Sequence, residues 1–169
     1  MKIFIALPFV FIFSLFSNSI SALTLSEDAA ERGINSVCIS YLSQIENSYD
    51  LDGALNITFA YPDDASMYPS LHISSKKYSN GSSTFTATLS PDNEYCYVSA
   101  SVITSINNQS CSEISLIKSE NDPSIILSEY ADGGFIIITP ADNSYQTILT
   151  VTGNNSCTMS ETRMLWPGR

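Results

Sequence analysis

Apolar residues between Ser26 and about Tyr49 recur in steps of three and four, at Ala30, Ile34, Val37, Cys38, Tyr41, Leu42, Ile45 and Tyr49. That spacing collects them on one face and predicts a single amphipathic α-helix over the whole stretch. Ser26 is placed to cap its start, and Glu27, Asp28 and Glu31 suit the positive end of a helix dipole. Gly33 interrupts the pattern, where glycine costs up to about 1 kcal/mol relative to alanine and weakens the first half. The helix is expected to stop near Asp50 to Gly53.

Beyond Gly53 the period shortens to two. Segments 54–61, 71–78 and 84–89 are rich in Thr, Ile, Phe and Tyr and are separated by Pro62-Asp63-Asp64 and Ser79-Asn80-Gly81, the pattern of strands in a meander. Asn80-Gly81 reads as a hairpin turn because both residues tolerate positive φ. Pro91-Asp92-Asn93 turns the chain into a long strand from Glu94 to Ile106. Cys96, Val98, Ala100, Val102 and Ile106 share one face of it, and Tyr95, Tyr97, Ser99, Ile103 and Ser105 share the other. Ser110 and Glu113 match a capping box and predict a short helix over 111–119, with a strand as the alternative. Segments 124–130 and 134–139 flank the turn signal Asp132-Gly133, and Phe135 to Ile138 reads as a run buried on both sides. Segments 145–152 and 157–166 form a last hairpin about Gly153-Asn154-Asn155, and Pro167-Gly168 ends the structure. No internal repeat is visible.

The elements add up to an α+β domain with an N-terminal amphipathic helix packed on an antiparallel β-sheet. The arrangement resembles cystatin-like helix-on-sheet folds in architecture alone and implies no function.

The first residues have a separate logic. Lys2 precedes an apolar run, Ile3 to Phe16, that gives way to Ser17, Ser19, Ser21 and Ala22, the order of a secretory signal peptide. Fourteen apolar residues are fewer than the roughly 20 needed to span a bilayer. Residues 1–22 are therefore expected to be removed, leaving 23–169 as one domain in a periplasmic or extracellular space, with no membrane association. The whole chain carries 17 acidic and seven basic residues, and losing Lys2 leaves six basic against 17 acidic, a formal charge of −11. Phosphate binding needs clustered Lys and Arg, so nucleic acid is excluded as a partner.

Export changes the meaning of the four cysteines, Cys38, Cys96, Cys111 and Cys157. With no CxxC spacing and a single histidine, they predict two disulfides rather than zinc, and no cofactor or metal is expected. A ten-residue strand beyond Cys96 would carry the chain about 33 Å away, whereas bridged Cα atoms lie within about 7 Å. Cys96 with Cys111 is therefore disfavoured. Cys38–Cys96 with Cys111–Cys157, and Cys38–Cys111 with Cys96–Cys157, both stay open.

Few side chains are arranged for chemistry. His72 alternates with Leu71 and Ile73 and is expected to be exposed or half-buried on the opposite face. No GxSxG turn accompanies it. Asp50-Leu51-Asp52-Gly53 lacks the first aspartate and closing glutamate of a calcium loop and reads as a helix-terminating turn. No catalytic residue is assigned. Tyr95, Tyr97, Ser99 and Ile103 make a Tyr/Ser-rich candidate binding face suited to protein contacts. The expected function is an exported, non-catalytic protein-binding or accessory module, inhibitor-like or immunity-like, with charge favouring a basic partner. A small secreted hydrolase using carboxylates and a structural part of a surface assembly are the alternatives.

Overall fold

The structure, a computed structural model, describes residues 23–165. The leader assigned to 1–22 and the expected chain end from Trp166 lie outside the described residues. Three helices, α1 (Leu25–Glu31), α2 (Ser36–Ser48) and α3 (Cys111–Asn121), accompany eight strands. The strands are β1 (Leu55–Phe59), β2 (Ser70–Tyr78), β3 (Gly81–Asp92), β4 (Tyr95–Asn107), β5 (Ile126–Tyr130), β6 (Phe135–Thr139), β7 (Gln146–Gly153) and β8 (Ser156–Leu165). They form one antiparallel sheet in the order β1-β2-β3-β4-β8-β7-β6-β5. The sheet dominates, so the α+β description fits only in part.

The expected N-terminal helix is two helices. Gly33 adopts φ +75°, and the amides of Gly33 and Ile34 bond back to the carbonyls of Ala30 and Ala29, which closes α1. Asn35 restarts the helix by accepting from the Val37 amide. Thr24, rather than Ser26, caps α1 in a capping box with Glu27. The break also shifts the stripe: Ala29 is buried and Ala30 is exposed. Glu46 of α2 then accepts from the Leu25 and Ser26 amides and the Ser26 hydroxyl, pinning the start of α1 to its neighbour. The capping box at Ser110 and Glu113 forms as the sequence indicates, and α3 follows it.

The sheet order contains a duplication that the sequence reading missed. Each half is a helical segment followed by a four-stranded meander, and the last strands of the two meanders, β4 and β8, pair antiparallel from Val98↔Leu165 to Asn107↔Ser156. Cys38 of α2 bonds Cys96 at the start of β4, and Cys111 of α3 bonds Cys157 at the start of β8. Each helix is thus stapled to the final strand of its own meander. Asn93-x-x-Cys96 and Asn154-x-x-Cys157 share one spacing at the two bridged strands. Bridged separations of 58 and 46 residues put the halves at different periods, which hides the repeat from a fixed-period search. Of the two pairings left open, this is one, and Cys96 with Cys111 is not bonded. Loops of these lengths each stabilise the fold by about 4 kcal/mol through the unfolded state.

Three further expectations change. Ile136 and Ile138 are buried but Phe135 is 43 % exposed, so β6 has one covered face rather than two. The β2–β3 hairpin forms, yet Gly81 is not at positive φ. Its need is space, since a Cβ there would lie 1.9 Å from the Ser105 carbonyl oxygen. Finally, His72 is fully buried. Residues alternate along β2 as expected, but the hydrophobic side is the open one: Ser70, His72 and Ser74 point under α1, while Leu71 and Ile73 point outward. The imidazole is satisfied on both sides, by Thr58 Oγ1 at 3.1 Å from Nδ1 and Ser70 Oγ at 2.7 Å from Nε2.

Burial pushes the His72 pKa down from 6.5 to about 4, and the nearby Asp28 carboxylate pulls part of the way back. Between those values the unfolded chain holds a proton that the folded chain does not. Stability is therefore expected to fall as pH drops from 6.5 to about 4, by up to about 3 kcal/mol. Urea unfolding of wild type and His72→Gln across this range checks it, because the variant loses that part of the slope.

Candidate functional site: the open face of the sheet

Side chains alternate along a strand, so one parity of each strand faces the helices and the other faces away. Phe85, Ala87 and Leu89 of β3, Cys96, Val98 and Ala100 of β4, Leu149 of β7 and Ile136 and Ile138 of β6 fill the helix side. On the other side the registers align residues in rows across the sheet. One row crosses all eight strands: Leu55, Ser75, Thr84, Ile103, Ser160, Ile148, Ile137 and Ser128. The next row runs Ile57, Ile73, Thr86, Ser101, Thr162 and Gln146.

Neither row contains a charge. Of the charged strand residues, Lys76, Glu129, Glu161 and Arg163 have the parity of the helix side. There Lys76 pairs with Asp50 at 2.9 Å, and Arg163 pairs with Glu161 at 2.8 Å beneath the rings of Tyr49 and Tyr145. Lys77 and Asp92 have the open-side parity, but they sit near the strand ends. The open face therefore has a hydroxyl-rich centre on β3, β4 and β8. Its apolar flanks are Leu55, Ile57 and Phe59 on β1, and Ile126, Tyr130, Phe135 and Ile148 on β5 to β7. At about 4.8 Å per strand and about 20 Å along them, it offers roughly 800 Å², the area one partner contributes to a standard protein interface.

All four residues of the candidate binding face lie on it. Tyr95, Tyr97, Ser99 and Ile103 project from β4 to the open side and are all exposed. The sequence reading placed these residues but missed the rest of the face, because Thr84, Thr86 and Ile148 look like ordinary strand residues until the register sets them side by side. Asp50 to Gly53 is the helix-terminating turn expected, with Asp50 and Gly53 at φ +50° and +69°.

Among the described residues, no group of three or more His, Cys, Asp and Glu could hold a metal ion, and no helix is long and apolar enough to cross a membrane. Glu113 and Asp142 are held below the ordinary carboxylate range. The Ser110 amide and hydroxyl bond the first, and the Ser144 hydroxyl and amide the second. Both shifts keep the carboxylate ionised, the opposite of what a general acid needs. Comparison with known family models, curated proteins and solved structures finds no match for this chain.

The two sides of the sheet respond oppositely to charge. Thr86→Lys or Ser160→Lys on the open side is expected to change stability by less than about 0.5 kcal/mol. Ala87→Lys, one residue from Thr86 but fully buried, is expected to unfold the domain. Thermal unfolding of the three variants distinguishes the faces.

Proposed function

We propose that the chain is an exported, non-catalytic binding module that holds another protein against the open face of its sheet. The observation that carries this reading is that a strongly acidic chain keeps the centre of one whole sheet face free of charge. Burying a charge against a partner costs several kcal/mol unless it is paired, whereas hydroxyls and apolar groups can be covered at little cost. Two disulfides fit an oxidising compartment, and with them the leader-like first residues support export.

Charge supports a basic partner. Asp63, Asp64, Glu94, Asp132 and Asp142 are exposed in the loops at the strand ends, outside the central rows of the open face. An acidic rim steers a basic partner and raises its association rate, while the uncharged centre makes the lasting contact. An inhibitor or immunity protein seated on a basic enzyme would use this division.

The test compares envelope or secreted fractions retained by immobilised wild type, by Thr86→Lys/Ser160→Lys, and by Ser40→Lys on the exposed side of α2. The expected result is a partner held by wild type and by Ser40→Lys, released by added salt only slowly, and lost with the open-face variant. Equal retention by all three removes the open face as the binding surface. Turnover in a glycoside or peptidoglycan screen, abolished by substitution of grouped carboxylates, replaces the reading with the hydrolase.

A further inference from the structure

The duplicated halves provide an internal comparison. In the first half α1 and α2 together cover the meander, and thirteen buried residues form its core. In the second half α3 is the one helix among the described residues, and six of those residues form the buried core. Among the described residues no helix takes the place of α1, and Leu127 on the helix side of β5 stays 40 % exposed. Between α3 and the strands beneath it lies a cavity of about 380 Å³. That is within the range of small-molecule sites, about 300–1,000 Å³.

Its walls are chiefly apolar, with Ile114 and Ile117 of α3, Ile125, Ile138 of β6 and Met159 of β8. Five polar residues break this character, Gln109, Asn121, Asp122, Thr147 and Lys118; the Asp122 carboxylate already accepts from the Ser124 amide and hydroxyl, and the last two bear on a ligand. Thr147 of β7 is part of the lining and 1 % exposed, and its hydroxyl has no hydrogen-bond partner. Lys118 also lines the cavity and makes no ion pair among the described residues. Register makes the first of these informative. Leu149 pairs with Met159, two residues beyond Cys157, as Leu89 pairs with Val98, two residues beyond Cys96. Thr147 therefore stands where the first half has Ala87, a fully buried methyl that needs no partner. A buried hydroxyl left unpaired costs about 1–3 kcal/mol, a cost the equivalent position shows this fold can avoid.

We propose that this cavity binds a small amphipathic molecule, an acyl chain or compact apolar body ending in a carboxylate or carbonyl oxygen. The apolar walls take the body. An ammonium can only donate, and the threonine hydroxyl is free to donate, so the matching ligand group is an oxygen acceptor. The site is on the helix side of the sheet and does not depend on the protein-binding reading of the open face.

The test is a titration of the mature, oxidised protein with sodium decanoate, followed by methyl NMR, with decane-saturated buffer as the acceptor-free control. The expected result is saturable shifts at Ile114, Ile138 and Met159 and none at Ile57 or Ile103. Thr147→Val, which keeps the shape and removes the hydroxyl, is expected to melt at or above the wild-type temperature and to bind decanoate at least fivefold more weakly. Lys118→Met, on the partly exposed side of α3, is expected to weaken it about tenfold. Absence of saturable shifts at these residues overturns the proposal. So does decanoate affinity equal to wild type in both variants.

Discussion

The antiparallel pairing of β4 with β8 is the constraint on which the rest of the molecule depends. Without it the chain would be two helix-and-meander units, each with its last strand, β4 or β8, as an additional exposed edge. With it the two long strands close each other's hydrogen bonds and leave only β1 and β5 as edges. The same pairing fixes the relative parity of the two meanders, so that Cys96 and Cys157 point to one side and both stapled helices lie there. A one-residue slip would send the second helix to the opposite face and destroy the open surface.

With the helices confined to one side, the two sides of the sheet take different chemistry. Charged strand residues are either gathered beneath the helices, as Arg163 with Glu161, or displaced toward strand ends. Under α1 the layer is unusually polar, with Thr58, Ser70, His72 and Ser74 in place of aliphatic residues. It is tolerable because the imidazole and the Ser74 hydroxyl find partners within the sheet. The apolar residues displaced from that layer, Leu71 and Ile73, appear on the open face beside Ile57 and Phe59. The polar interior of β2 and the apolar flank of the open face are thus one feature seen from two sides.

Much of this was legible in the chain. Strand positions, the Ser110 capping box and the separation of Cys96 from Cys111 follow from local period, turn chemistry and length. What was not legible depends on tertiary context. Which side of β2 is covered could not be read from alternation, since Leu71 and Ile73 look like the core side and only the location of α1 reverses that. The break at Gly33 was signalled by the glycine but hidden by an apolar stripe that continues through it. The duplication was obscured by halves of unequal length, and the breadth of the open face by the need to know register across eight strands.

The measurement that reaches the central claim most directly is solvent access to the two faces of the sheet, read by NMR with a neutral soluble paramagnetic probe at low protein concentration. The account predicts strong relaxation of the Thr84, Thr86, Ile137 and Ile148 methyls, with Ala87, Ala100, Leu89 and Leu149 protected. Equal protection of both sets would contradict it, because the sheet would then be covered on both sides and the uncharged face would be part of the protein's own core.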